Sequence, residues 1–366
     1  MTPRQRVLIY RLGSLGDTVV ALPCFHQIAR MWPDAERIVL TNIPVSSKAA
    51  PLDVVLRHGG LIHGSIAYPV GTRSIGRLWQ LRQQIFRLNA DVLVYLASPR
   101  GRLNAIRDWL FFRWCGLKHI VGLPRTVDLQ TCRRTNSSRT SGAGPQEYEC
   151  ERLARCLQSL GTIDLDNPAM WDLRLTDHEK QTGDAALAAL EDRRYFAVNM
   201  GGKAREKDWG IANWRTLLVR LSRLYQHTGL VIVGAAEDAE RAQMVADAWA
   251  GPVLDLCGKL SPREAAAAMR HASVFIGHDS GPLHLAAATG VPCVGIFGDF
   301  NEPNRWHPRG AQHRIIHRME GLDTIQVSEV IAAVNEIHPS AEGYRINVRE
   351  SVSLPPSEYC ANAQLR

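Results

Sequence analysis

The residues best suited to chemistry are Asp279, Ser280, Gly281 and His284. They stand in the run Ile276-Gly277-His278-Asp279-Ser280-Gly281-Pro282-Leu283-His284. Val274-Phe275-Ile276 before them reads as a buried strand. Ser280 suits a helix N-cap, and Pro282 suits the first helical turn. Gly290 ends a short apolar helix, and residues 292–298 begin the next strand. A strand that delivers Asp-Ser-Gly to a helix N-terminus predicts an anion site, because free N–H groups and the helix dipole favour phosphate there. A carboxylate at Asp279 should repel phosphate, so its presence asks for a reason. The plainer reading is a cap followed by a core helix.

A second glycine-rich turn, Gly13-Ser14-Leu15-Gly16-Asp17, follows the strand-like run Arg6–Arg11. Its glycine spacing fits neither the dinucleotide fingerprint nor a P-loop. Asp17 is most simply a helix cap. In a cleft between two domains it could instead accept a proton from an attacking hydroxyl. Lys203 and Lys207 lie just past a later strand end, and Lys207 is the cation chosen to neutralise a leaving diphosphate. Gly201 and Gly202 precede them. Glu237 and Glu240 follow another strand end, where an acid either binds ribose hydroxyls or complements a helix N-terminus. His278 and His284 lack a third ligand at metal-binding spacing, so no metal site is expected.

The elements that must position these residues alternate between strand and helix, which implies parallel sheet. Strands are expected at 6–11, 37–41, 90–96, 195–199, 230–234, 253–256, 274–276 and 292–298. Helices are expected at about 17–31, 211–225, 238–249 and 261–271, the last opened by a Ser261–Glu264 capping box. Leu103 to Cys115 carries Trp109, Phe111, Phe112 and Trp114 among arginines. That mixture suits a membrane surface, but a core helix with snorkelling arginines is preferred.

The chain has 366 residues, with 45% hydrophobic and 22% charged side chains, ordinary values for a soluble enzyme of about two domains. No apolar run approaches the ~20 residues of a membrane helix. The N-terminus lacks a signal-peptide core, so a cytoplasmic location is expected. Eight scattered cysteines form no CxxC pair and read as reduced thiols. Residues 1–175 hold 23 Lys/Arg against 13 Asp/Glu, whereas residues 176–366 hold 20 against 23. The first half should therefore face something anionic: nucleic acid, a membrane surface or a phosphorylated acceptor.

Arg11-Leu12-Gly13-Ser14-Leu15-Gly16-Asp17 with Ala21-Leu22-Pro23, taken with Asp279-Ser280-Gly281-Pro282-Leu283-His284 and Gly298, resembles glycosyltransferase family 9, the ADP-heptose:lipopolysaccharide heptosyltransferases. The likeness spans about residues 6–320. It implies an α/β GT-B fold, two Rossmann-like doubly wound domains facing across a cleft. The expected division is 1–175 for the acceptor, 176–335 for the nucleotide-sugar donor, and a tail at 336–366 that packs back on the first domain. It implies inverting transfer without metal or other cofactor. Asp17 becomes the base and Lys207 the contact to donor phosphates. Gly201, Gly202, Lys203, Asp279, Ser280, Gly281 and His284 line the donor pocket, with an acidic residue of the run 237–240 (Glu237, Asp238 or Glu240) beside the ribose. Arg11, Gly13, Ser14 and Gly16 form the acceptor-side loop. The expected partners are a nucleotide sugar, an anionic glycan or glycolipid and the inner membrane surface, with no nucleic acid.

Two departures stand out. Gly13 replaces a commoner serine, and Gly298-Asp299-Phe300-Asn301-Glu302-Pro303 replaces a commoner Gly-Pro-Thr turn, which brings two extra carboxylates near the pocket. They leave open a different donor sugar, or a protein or small-molecule acceptor. A binding protein without turnover is the remaining alternative, against which Asp17 and Lys207 speak.

Overall fold

The computed structural model describes residues 4–43, 50–69, 71–134, 146–201 and 207–339. Its strands fall into two sheets. The first holds β1 (Arg6–Tyr10), β2 (Glu36–Asn42), β3 (Gly64–Tyr68), β4 (Val92–Tyr95) and β5 (His119–Val121), in the order β3-β2-β1-β4-β5. The second holds β6 (Tyr195–Asn199), β7 (Gly229–Ile232), β8 (Val253–Asp255), β9 (Val274–His278), β10 (Cys293–Phe297) and β11 (Arg314–His317), in the order β11-β10-β9-β6-β7-β8. Every pairing is parallel; Leu8 lies opposite both Ile38 and Leu93, and Val198 opposite Ile276. Central strands such as Tyr195-Phe196-Ala197-Val198-Asn199 are buried throughout. Helices cover both sheet faces, so these strands need apolar runs and no alternation. Strand order reverses beside β1 and beside β6, and ligands in such sheets bind at the carboxyl ends near those points. Two doubly wound lobes facing across a cleft make this a GT-B fold.

The strands missed by sequence patterning are β3, β5 and β11. All are short sheet-edge strands whose residues stay partly or fully exposed. An edge strand buries too little to print an apolar run. The helix expected from Asp17 to Met31 is two helices, Leu15–Val20 and Leu22–Met31. Pro23 cannot donate a backbone N–H, so the chain breaks at Ala21 and restarts with proline in its first turn. Helix Arg102–Trp114 departs from the core-helix expectation. Ala105 and Phe112 face the sheet, while Leu103, Ile106, Leu110 and Trp114 face outward. The tail from residue 340 onward lies outside the described residues. Helix Val327–Ile337, just before it, packs Val330 and Val334 into the second lobe.

Among the contacts that join the lobes in the described residues, two lie near the meeting strand ends. Helix Leu15–Val20 lies against helix Gly281–Ala288 through bare backbone. A Cβ on Gly281 would stand 2.3 Å from Leu15 Cδ2, and one on Gly16 would stand 3.1 Å from His284 Cδ2. The second contact is made by Arg263, buried on helix Pro262–Met269. Its guanidinium forks onto Glu179 at 2.6 and 2.9 Å. It also donates to the carbonyls of Val55 at 2.7 Å, Leu173 at 2.8 Å and Arg174 at 2.8 Å. One side chain thus pins the crossing segment and helix Leu52–Leu56 of the first lobe to the second.

Removing one partner of a buried ion pair leaves the other charge unpaired. Arg263→Ala should therefore lower unfolding free energy by about 3 kcal/mol or more, read by urea denaturation. A loss within about 0.5 kcal/mol, the range of ordinary surface changes, would show that Arg263 does not bear the lobe contact.

Candidate active site

A cavity of about 480 Å³ lies where the carboxyl ends of the two sheets meet. Its first-lobe wall is Ser14, Leu15, Gly16 and Asp17; its second-lobe wall includes Gly201, Lys207, Asp279, Ser280, Gly281 and His284. A larger neighbouring cavity, about 660 Å³, shares only His284 with it and contains neither Asp17 nor the N-terminal turn of helix Gly281–Ala288.

The first-lobe turn is shaped to hold one carboxylate. Asp17 accepts from the Ser14 backbone N–H at 2.9 Å and from Ser14 Oγ at 3.3 Å. Gly13 has φ +130°, and a Cβ there would stand 2.4 Å from Asp17 Cβ. Glycine is thus required by the turn, and Gly13 donates its N–H to Asn42 Oδ1 at 2.7 Å. Arg11 does not reach the cavity. It is fully buried beneath the turn, donating to the carbonyls of Leu96 and Asp17 at 2.6 and 2.5 Å. Its role is to fix the backbone that carries Asp17.

The second-lobe turn leaves donors free for an anion. Ser280 occupies the N-cap of helix Gly281–Ala288, yet its side chain makes no capping bond. Its hydroxyl instead donates to Asn199 Oδ1 at 3.0 Å, tying β9 to the end of β6. The helix N-terminus thus lies on the cavity wall without a side-chain cap, and the first-turn N–H groups of a helix are natural donors to an anion. The electrostatic objection to Asp279 is answered beside it. Lys207 Nζ lies 2.7 Å from its carboxylate, and Asn301 donates to the same oxygen at 2.5 Å. Lys207 also sits 4.2 Å from the Phe300 ring centre. A neutralised carboxylate leaves the helix terminus attractive to phosphate.

The departing turn at 298–303 thus contributes Phe300 and Asn301 to the cavity wall, whereas Asp299 and Glu302 do not line it. Glu237 and Glu240 are also exposed and off the wall. The acidic residue on the wall is Asp238, which accepts from Ala235 N–H at 2.9 Å. It faces Gly201, where a Cβ would stand 2.4 Å from its carboxylate. Gly202 and Lys203 lie outside the described residues. Beyond Asp238 the wall turns apolar, with Val233, Leu260, Pro262, Ala265 and Met269. Gly258, at φ +69°, brings backbone close to Ala236 there. Sequence reading missed this slot, since its residues come from the end of β7, the turn at Leu260 and the inner face of helix Pro262–Met269, which no motif unites. Among the described residues no group of three or more His, Cys, Asp or Glu side chains is placed to hold a metal ion.

Burial holds the histidines around the site neutral. It pushes His278 down to about 4, His307 to about 3 and His313 to about 4, and lowers His284 in the same direction. His284 therefore offers a hydrogen bond at neutral pH, not a counter-charge. His278 accepts the Trp209 N–H at 3.4 Å and packs edge-on to Trp214, steadying the segment after Lys207.

A histidine whose folded pKa lies below its unfolded value takes up its proton more readily when the chain is unfolded. The stability it provides is present above about pH 6.5 and drains away as pH falls toward about 4. Burial alone would raise the Asp208 carboxyl, but the Arg241 fork outweighs it and holds Asp208 low. Asp208 acts in the same sense only at lower pH. The melting temperature should therefore fall between about pH 7.5 and about pH 5. A flat profile over that interval would mean that these rings are not held neutral.

The profile of glycosyltransferase family 9 (heptosyltransferase) matches residues 110–328. Lipopolysaccharide heptosyltransferase 3 of Escherichia coli is 33% identical over 105 residues, covering 25% of this chain and 31% of that protein. The match thus spans less than a third of that relative's length. The crystal structure of a family 9 glycosyl transferase from Veillonella parvula aligns with TM-score 0.68 at 18% identity, covering 92% of this chain and 98% of that one. The structure of E. coli ADP-heptose LPS heptosyltransferase II aligns with TM-score 0.64 at 18% identity, covering 91% and 98%. With the family profile matching well over half of its length, the chain belongs to glycosyltransferase family 9, the heptosyltransferase family.

Proposed function

We propose that the chain is an inverting, metal-independent glycosyltransferase that moves a heptose-like sugar from a nucleotide diphosphate donor, ADP-heptose, to a hydroxyl of a lipopolysaccharide-core or related glycan. One observation carries this reading. A carboxylate from the first lobe and an uncapped helix N-terminus from the second open onto the same cavity.

The chemistry follows from that pairing. Asp17 accepts the proton of the acceptor hydroxyl as its oxygen attacks the anomeric carbon, on the face opposite the diphosphate. The new C–O bond forms as the bond to the diphosphate breaks, so configuration inverts. The departing oxyanion is stabilised by the backbone N–H groups of Leu283 and His284 and by Lys207. Lys207 is shared with Asp279, so its charge is available when phosphate arrives without leaving an unpaired cation beforehand. Asp279 and Asn301 take sugar hydroxyls, neutral His284 takes another, and Asp238 takes those of the ribose. The apolar slot at Leu260, Ala265 and Met269 receives the base, and its lack of charge suits adenine. The basic first lobe fits an anionic glycolipid acceptor, met at the inner face of the cytoplasmic membrane. The ADP-heptose named for the structural relative from E. coli supports the choice of donor.

The test separates chemistry from binding. Asp17→Asn should lower kcat by about 10²-fold or more while the donor dissociation constant stays unchanged. Lys207→Ala should instead weaken donor binding by about tenfold, the scale of one charge-assisted contact, and lower kcat as well because the leaving diphosphate loses its cation. Wild-type turnover from Asp17→Asn would remove it as the base. Turnover should also survive excess chelator, and its loss would place the chain among metal-dependent transferases.

A further inference from the structure

Helices Ile75–Leu88 and Arg102–Trp114 lie side by side over one face of the first sheet. Leu81 and Ile85 of the first helix, and Ala105 and Phe112 of the second, make the buried layer. The second helix repeats an apolar stripe on its other side, at Leu103, Ile106, Leu110 and Trp114, spaced three or four residues apart. The first helix adds Ile75, Trp79 and Phe86. A surface helix that is apolar on both faces lacks an explanation from its own lobe. Seven of the thirteen exposed large hydrophobic side chains among the described residues fall on these two helices. Ile75 and Leu103 are the extreme cases, 84% and 83% exposed.

The seven form one surface. Trp79 and Trp114 meet across the helix pair at 5.8 Å. Arg82 stands over both rings, at 4.9 and 5.0 Å, and donates to the Trp114 carbonyl at 3.1 Å. The charge around them has one sign. Residues 71–126 hold ten Lys/Arg against two Asp/Glu. Neither acid opposes this field outward. Asp108 is buried against Arg100, Arg107 and the Tyr95 hydroxyl, and Asp91 sits at the far end of the sheet, accepting from Arg6.

We propose that the outward faces of these two helices form a docking surface for an anionic lipid bilayer. Tryptophan and aliphatic side chains ringed by arginine suit the headgroup boundary, where apolar tips enter the acyl layer and guanidinium groups meet lipid phosphate. The orientation follows from topology. Both helices start just past the carboxyl ends of β3 and β4, the sheet end at which β1 delivers Asp17. Ile75 and Leu103 therefore stand on the cleft side of the patch. A bilayer seated there holds an amphiphilic acceptor by its lipid, with its polar head within reach of the catalytic wall. Among the described residues the second lobe has no such surface; its exposed Met244, Phe300 and Met319 are far apart in sequence and the charge of residues 176–366 is slightly negative. The purpose of this surface rests on the glycolipid acceptor proposed above, but its physics does not, so it is tested without donor or acceptor.

The full chain is sedimented with vesicles of phosphatidylcholine alone, or of phosphatidylcholine mixed with phosphatidylglycerol. Binding should require the anionic lipid and weaken as salt rises, because the electrostatic share is screened. Ile75→Glu and Leu103→Glu should each weaken binding by about tenfold, while the melting temperature stays unchanged because both side chains are already exposed. Equal sedimentation with both vesicle types, or undiminished binding in both variants, would overturn the proposal. So would a dimer in gel filtration that dissociates in these variants while vesicles recover no protein, since the patch would then be covered by a second copy.

Discussion

Everything at the proposed site depends on how closely two short helices approach. Helix Leu15–Val20 and helix Gly281–Ala288 belong to different sheets, yet they meet through the missing side chains of Gly16 and Gly281. A methyl group at Gly281 would overlap Leu15, and the lobes would have to part to admit it. Since each helix starts at a strand's carboxyl end, the same contact places Asp17 opposite the Ser280 turn. The Arg263 fork, reaching Glu179 and three carbonyls, holds the crossing segment in register with it.

A second constraint is electrostatic. A phosphate site at a helix N-terminus tolerates no free carboxylate, yet Asp279 immediately precedes the N-cap. Lys207 and Asn301 resolve this by engaging its carboxylate, and Phe300 covers the lysine. The turn at 298–303 is where this chain departs from the commoner family pattern. Its contribution to the cavity is a ring and an amide, and its two carboxylates stay off the wall. Neutral His284 continues the theme: the walls around the helix terminus supply hydrogen bonds, and among the described residues of the cavity wall the fixed positive charge is Lys207.

The first lobe divides its charge differently. Buried arginines organise its interior. Arg11 holds the turn of Asp17, and Arg152 pairs with Glu149, both fully shielded from solvent. Other arginines, such as Arg77, Arg82 and Arg113, ride on helices whose outer faces are also apolar. One lobe thus combines a positioned carboxylate in its cleft with an amphipathic exterior, and the other holds the turn proposed to bind diphosphate.

Much was legible in the sequence because it is local. Buried central strands print as apolar runs, Ser261–Glu264 prints a capping box, and Gly-rich turns after strands mark where a ligand meets backbone. The positions of Asp17, Lys207 and Asp279 came from such signals. Tertiary structure alone decided the rest, because it depends on which surfaces meet. Nothing local distinguishes Asp238 from Glu237 or Glu240; only the approach of Gly201 selects the wall-facing acid. Ser280 looks like a cap and instead bonds Asn199, a partner 81 residues away. Arg11 reads as a loop cation and is buried, because its carbonyl partners lie at Leu96 and Asp17. The apolar slot is assembled from the end of β7, the turn at Leu260 and helix Pro262–Met269, brought together by parallel strand order. Helix Arg102–Trp114 carries apolar residues on two faces, and only its docking on the sheet shows which stripe faces inward and which is left to meet another phase.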